Sequence, residues 1–286
     1  MKRILGLKVD VDTYAGMRDG VPNLLSILAD AGMRATFFLS VGPDASGRAL
    51  FQLLKNPRFL KKMIRTGAPK LYGFRTALYG VFLPSPMIAA SFPELVKRIV
   101  AEGHEVQFHA WDHRRWQDDL PEKSPAWIRE WFERGIETFE RLTGFPPTAF
   151  GAPAWRIDER VLVEAKRHGF RYLSCTRAVC PFVHEGTNLA EIPSDLRCFE
   201  EVDREGAVEN ILGPLADGNL HVLPVHAEVE GGIYQNHFKM LIESIHAMDY
   251  RTATLCEIRE MLPLGKLPVR KFRMELLPGR AVPCAV

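Results

Sequence analysis

The sequence predicts a single barrel-like α/β domain, and three observations carry that prediction. Stretches with β-strand and amphipathic-helix periodicity alternate through six or seven βα units, without an internal repeat or a low-complexity linker. At 286 residues, 47% hydrophobic and 25% charged, the chain can bury the core that one large α/β domain needs. Two polar pairs, Asp10 and Asp12 in LKVDVDT and His109 and His113 in QFHAWDH, each follow a β-like run, ILGLKV and EVQF. In α/β domains, functional residues gather at the carboxyl ends of parallel strands.

Taken in order, ILGLKVDVD reads as the first strand and VPNLLSILADAGM as a helix ended by Gly32. ATFFLSV is a second strand, and FPELVKRIVAEG a helix stopped by Gly103. EVQFHAW, TAFGAPA, YLSCT and HVLPVHAE are further strand candidates. Between them, PAWIREWFERGIETFERLTG, DERVLVEAKRHG and the weaker VENILGPLADG carry helical spacing. YQNHFKMLIESIHAM makes a late helix, TATL a short last strand and CEIREML a final helix. The domain is expected over residues 1–262, with the Pro- and Gly-punctuated tail 263–286 outside the barrel.

The five cysteines (Cys175, Cys180, Cys198, Cys256, Cys284) are odd in number and include no C-x2-C pair. That argues against a disulfide framework or a zinc knuckle and fits a reducing compartment. Met-Lys-Arg runs directly into a strand without an apolar h-region, so no secretory signal is expected and a cytoplasmic protein is.

Carboxylate and imidazole are the ligand types that hold a divalent metal, and two His with one carboxylate leave positions open for water and substrate. A water made acidic in this way needs a base, which the spare carboxylate supplies. Asp10, Asp12, His109 and His113 therefore read as a hydrolase site. A lone H-x3-H is weak; its placement after a strand, matched by the aspartates after another, gives it weight. The bland reading of the aspartates is a turn start for Asp12 and a helix cap for Asp10. Asp112 reads equally as a partner orienting an imidazole or as a surface residue. His104 and His168, beside helix-ending glycines, read as structural.

From Ala45 to Pro93 there is no acidic residue, whereas Arg48, Lys55, Arg58, Lys61, Lys62, Arg65, Lys70 and Arg75 are basic, in a chain whose net charge is only +2. Phe59, Tyr72, Phe74, Tyr79 and Phe82 are interleaved, and the segment ends in eighteen uncharged residues, TALYGVFLPSPMIAASFP. Gly80, Pro84 and Pro86 argue against a spanning helix there. Two readings stay open: contact with an anionic membrane surface, or a solvated basic face with a loop packed on the barrel. No module accompanies the charge, so nucleic acid is not expected as a partner.

The ordered motifs, Asp10 and Asp12, HAWDH, GAPAWR and LPVH, resemble those of the polysaccharide deacetylase family, carbohydrate esterases that share the NodB homology domain. The resemblance covers about residues 1–260. It implies a distorted (β/α) barrel of about seven strands and hydrolysis of an N-acyl group on a sugar with a divalent metal ion, Zn, Mn or Co. Within the family, VDVDTYAGMRDGVPNLL, the basic insertion and HAEVEGG are most similar to enzymes that remove formate from a formamido-arabinose carried on undecaprenyl phosphate. That similarity implies a lipid-linked sugar substrate, the cytoplasmic face of the inner membrane, and a part in lipid A modification and polymyxin resistance. No obligate protein partner is inferred from the sequence.

Carried over residue by residue, the resemblance assigns His109 and His113 as metal ligands and His226 in LPVH as general acid. The family's two aspartates are adjacent, base then ligand; here Val11 separates them. Asp10 is read as base and Asp12 as ligand, and strand alternation puts both on one side, which leaves the roles exchangeable. The third motif of the family has an arginine ahead of its proline, where GAPAWR has Gly151 and Ala152 and offers Arg156 behind it. Arg156, Trp111 and Trp155 are the candidate substrate-binding residues, the tryptophans being either sugar-facing platforms or core aromatics. Two other classes remain: a family member acting on a soluble N-acyl sugar or cyclic imide, and a non-catalytic carbohydrate- or lipid-binding barrel.

Overall fold

A computed structural model describes residues 3–49 and 76–286. All the basic residues of the insertion except Arg48 therefore lie outside the described residues, as do Phe59, Tyr72 and Phe74. The chain opens with β1 (Ile4–Val11), α1 (Val21–Asp30) and β2 (Thr36–Ser40). After the insertion come α2 (Pro93–Ala101), β3 (Glu105–Ala110), α3 (His113–Asp119), α4 (Pro125–Thr143), β4 (Ala149–Phe150), α5 (Glu159–Arg167) and β5 (Tyr172–Leu173). A short pair, β6 (Phe182–His184) and β7 (Ala190–Glu191), precedes α6 (Ala207–Leu212) and β8 (Leu220–His226). Then follow α7 (Gln235–Ala247), β9 (Arg251–Ala253), α8 (Leu255–Met261), β10 (Val269–Arg270), β11 (Met274–Glu275) and β12 (Cys284–Ala285).

The main sheet runs β10-β6-β7-β5-β4-β3-β2-β1-β8, with β9 also on β1. Its pairs are parallel except β6 with β7. The expected distorted (β/α) barrel is thus present, with β8 and β10 as the two ends of the strand order. Covered by helices, β1 is buried along its whole length, which explains its nearly continuous apolar run. Lys8 and Asp10 are the exceptions in that run.

Local chemistry sets the helix ends. Ser124 caps α4 by accepting from the Trp127 amide at 3.2 Å, Pro125 occupies its first turn, and Gly144 ends it in the left-handed region. Asp158 caps α5, and a reciprocal Thr254–Glu257 box starts α8. Beneath the HAWDH loop the core is aromatic. Trp116 of α3 lies 4.2 Å from Trp131 of α4, and both pack around Phe108, Phe132 and Phe150.

Two features differ from expectation. Helix α3 begins immediately after the HAWD turn, because Asp112 caps it through the Arg115 amide at 2.9 Å. The tail does not stay outside the sheet: β10 pairs with β6, and Cys284 and Ala285 of β12 are fully buried. Strands of two residues are too short to show periodicity, and their partners are distant in sequence. The uncharged end of the insertion is divided. Ile88 and Ala89 are buried and Met87 bridges to Pro43, whereas Phe82 is 73% exposed. Among the described residues, no helix is long and apolar enough to cross a membrane.

At the start of β8, the His221 ring is clamped between Asp195 Oδ2 at 2.6 Å and Asp217 Oδ1 at 2.8 Å. The Asp195 and Asp217 hydrogen bonds outweigh partial burial and raise its pKa to about 9. A histidine raised in the folded state stabilises fully below its unfolded pKa, near 6.5, and loses that contribution as pH rises through about 9. His221→Gln should lower stability by roughly 1–3 kcal/mol at pH 6, with a difference that shrinks toward pH 9.5. Urea unfolding at the two pH values checks this, and an equal deficit at both would show that the ring acts by packing alone.

Candidate functional site

Strand register assembles the site. Asp10 of β1 is the Cα partner of His226 of β8, and neighbours so paired in a parallel sheet point to the same face. On the other side of β1, β2 pairs Leu39 with Phe108 and Ser40 with Ala110, so His109 is the extra residue of a β-bulge. A bulge re-aims the side chain it carries. It does so here toward Asp12, just past the end of β1. The Asp12 carboxylate divides its oxygens, Oδ1 lying 3.0 Å from His109 Nε2 and Oδ2 3.1 Å from His113 Nε2.

The following loop is held close to β2. A Cβ on Gly42 would sit 1.9 Å from the Trp111 carbonyl oxygen and 2.9 Å from the Trp111 ring, so only glycine admits HAWDH at this distance.

His109 Nδ1 is 2.7 Å from the Gly151 carbonyl, which can only accept. In the neutral ring the proton is therefore on Nδ1, and Nε2 presents a lone pair to Asp12. Asp12 Oδ1 and His109 Nε2 are buried with no hydrogen-bond partner despite their 3.0 Å separation. Facing lone pairs of this kind call for a shared cation. Burial alone would raise the Asp12 pKa, but the positive charge and hydrogen bonds that His113 and His109 supply when protonated hold it well below the usual carboxylate range, and a bound cation would take over that part with the rings neutral. Ionised carboxylate and neutral imidazoles are the forms that bind metal, so Asp12, His109 and His113 fit a divalent ion.

Asp10 is not among these three. Both of its oxygens are paired with Lys8 Nζ, from the same face of β1, and the Lys8 side chain is fully buried. Arg156, a substrate-binding candidate in the sequence, is bound to α3 instead. Its Nη1 donates to the Gln117 carbonyl at the end of α3, and its own carbonyl accepts from Trp116 Nε1 at 2.8 Å. Lys8 thus supplies the cation beside Asp10. The strand alternation Lys8, Asp10, Asp12 was readable, but the pairing of Lys8 with Asp10 was not.

Of the two candidate tryptophans, Trp111 is half-buried against the core, whereas Trp155 is only 1% exposed. Arg177 and Arg280 lie over the Trp155 ring at 4.7 Å each and Lys8 at 5.3 Å, so it is a platform for cations and offers no open face to a sugar. Asp112 is committed to capping α3. His104 accepts from the Ala35 amide at 3.1 Å and His168 stacks on Phe132, both structural as expected.

His226 is buried with Cys198 and Glu200, the ligand atoms of all three lying within 4.8 Å of one another. Its amide donates to Glu230 Oε2 at 2.6 Å, and the other Glu230 oxygen accepts from the Phe199 amide at 3.1 Å. Burial lowers the His226 pKa against the opposing pull of Glu200, Asp12 and Asp10. Burial also raises Glu230 to about 8, and raises Glu228 well above its ordinary value with Asp12 adding to the effect. Both glutamates lie in HAEVEGG, which sequence reading noted without assigning them a place; Glu200 was missed, having no local signal beyond an acidic pair.

Residues 3–173 match the family model described as polysaccharide deacetylase. A probable 4-deoxy-4-formamido-L-arabinose-phosphoundecaprenol deformylase of Shewanella sediminis is 36% identical over 244 residues, covering 83% of this chain and 80% of its own. A protein of the same name from Wigglesworthia glossinidia brevipalpis is 30% identical over 281 residues, covering 93% and 96%. Among solved structures, a Mycobacterium smegmatis protein ascribed to the polysaccharide deacetylases superposes with a TM-score of 0.67 at 21% identity, with 96% of each chain covered.

His109→Ala and His113→Ala should each lose bound metal while keeping the far-UV circular dichroism spectrum, because the fold rests on the sheet and its helices. Elemental analysis of metal-loaded, gel-filtered protein checks this. Full occupancy in both variants would remove them as ligands.

Proposed function

This chain belongs to the polysaccharide deacetylase family, and we propose that it is a metal-dependent deformylase. Its substrate in this reading is a formamido sugar on a polyprenyl phosphate, 4-deoxy-4-formamido-L-arabinose on undecaprenyl phosphate, and its products are formate and the amino sugar. The single observation that carries the hydrolytic reading is the Asp12 carboxylate shared between His109 and His113 beside the register pair Asp10 and His226. The names of the two relatives support the choice of formyl group and lipid carrier.

Asp12, His109 and His113 would hold a divalent ion, which when bound would polarise an amide carbonyl and lower the pKa of a water toward neutrality. The residues supply the rest. Asp10, oriented by Lys8, takes the proton of the attacking water. His226 delivers a proton to the departing nitrogen, so that the C–N bond breaks with an amine as leaving group. An imidazolium whose pKa is held low by burial is the stronger acid, although less of it is protonated at neutral pH. The bulged strand, the Gly42 contact and the aromatic cluster under HAWDH keep these groups in one geometry. A freed amine is cationic at neutral pH, which suits a sugar destined to mask phosphate charge on lipid A.

The test is formate release from the lipid-linked formamido sugar by purified, metal-loaded protein. Asp10→Asn should retain metal and lose turnover, and His226→Ala should lower turnover by roughly 10²- to 10⁴-fold. The His226 loss should be smaller for an ester, whose leaving oxygen needs protonation less. Hydrolysis of soluble N-acyl sugars with none of the lipid-linked formamide would redirect the assignment within the family.

The proposed site of action is the cytoplasmic face of the inner membrane, approached through the basic, uncharged-ended insertion. Each exposed Lys or Arg near an anionic bilayer contributes on the order of 1 kcal/mol, screened by salt. Changing Lys61, Lys62 and Arg65 together to Glu should release the protein from vesicles containing anionic lipid, with hydrolysis of a soluble substrate preserved. Equal co-sedimentation of wild type and triple variant would leave the lipid to be reached another way.

A further inference from the structure

We propose that the C-terminal tail completes the catalytic site, with Arg280 as a positioning residue that acts on His226 through Trp155. The proposal rests on His226 being the acid. The tail is bound to the domain by its own backbone: the Arg177 amide donates to the Ala285 carbonyl at 2.8 Å, and β10 pairs with β6. A turn then delivers Arg280. Gly279 is in the left-handed region (φ 83°), and a Cβ there would lie 3.0 Å from the Glu201 carbonyl oxygen, so the chain passes close against the 199–201 turn.

Beyond that turn, Arg280 is brought inside. Its side chain is 7% exposed, its Nη1 lies 3.4 Å from Glu201 Oε1, and its guanidinium carbon is 4.7 Å from the Trp155 ring centre. Arg177 makes the matching contacts, 2.7 and 2.9 Å to the Glu201 oxygens and 4.7 Å to the same ring. Two buried cations thus share one carboxylate and one indole. Trp155 and its predecessor Ala154 both adopt φ of 53°, a conformation that non-glycine residues hold only when their surroundings enforce it. The enforced ring stands edge to face against His226, with centroids 6.0 Å apart at 85°.

His226 is therefore held twice. Its main chain is tied through Glu230 to the 199–201 turn, and its ring packs on Trp155, whose position depends on Arg177 and Arg280. An apolar residue would suffice to seal the tail onto the domain. A buried guanidinium over the indole that touches the acid does more: it sets where the acid's ring lies.

The experiment measures formate release from the lipid-linked formamide, and nitrophenolate release from 4-nitrophenyl formate, an ester whose leaving group departs without a proton. The proteins are wild type, Arg280→Met, Arg280→Lys, His226→Ala and His226→Ala with Arg280→Met. Met keeps the apolar stem, so the tail stays sealed, and Lys keeps the charge. Arg280→Met should lower kcat on the amide by roughly ten- to a hundredfold with KM and metal content near wild type. Arg280→Lys should recover most of that loss. Ester turnover should change little, and Arg280→Met should have no further effect once His226 is alanine, because both changes remove the same step.

A normal amide kcat for Arg280→Met, or equal losses on amide and ester, would overturn the proposal and leave the tail a structural seal. Multiplicative losses in the double variant would do the same. Full amide turnover by His226→Ala alone would overturn the acid reading itself, and this proposal with it.

Discussion

A stripe of charge through the interior of one strand governs the molecule. Lys8, Asp10 and Asp12 alternate along and just beyond β1, which is buried along its whole length between β2 and β8. Isolated charges there would be prohibitively costly, so each must be compensated nearby. Lys8 and Asp10 neutralise one another, and Asp12 faces two imidazoles. What remains uncompensated is a pair of lone pairs pointing at each other, the signature of a place for a cation. The same burial that makes the stripe expensive makes it useful, because charge interactions are stronger away from water.

A second charged network surrounds the other half of the site. Arg177, Arg280 and Glu201 pack over Trp155, while Glu230 ties the backbone of His226 to the turn that carries Glu201. Lys8 reaches both halves, pairing with Asp10 and lying over the Trp155 ring. Asp10 and His226 are therefore neighbours in register and share an electrostatic framework. Burial raises Glu230 to about 8, and burial with the charge of Asp12 raises Glu228 well above its ordinary value.

Much of this was legible in the linear chain. Helices with caps and apolar periodicity, and the long strands β1, β2, β3 and β8, announce themselves locally because their signals lie within a few residues. Asp12, His109 and His113 could be singled out for the same reason: each lies at or just past the carboxyl end of a strand, where sites form. Arg156 was not correctly placed, since nothing in GAPAWR shows that its side chain turns toward Gln117. Nor could Trp155 be told from a sugar platform, because the cations that cover it come from residues 8, 177 and 280.

By itself, the sequence determined the α/β class, the side-chain types that could hold a metal and the strand ends that carry them. Periodicity and side-chain chemistry are properties of short segments. Tertiary structure alone decided which cation meets Asp10, which faces of Trp155 are closed, and that a tail starting at residue 263 returns to the site. Those outcomes depend on a bulge that turns His109, a register that sets Asp10 beside His226, and pairings between two-residue strands. Each is a contact between segments far apart in the chain, whose energy exists only once the sheet has brought them together.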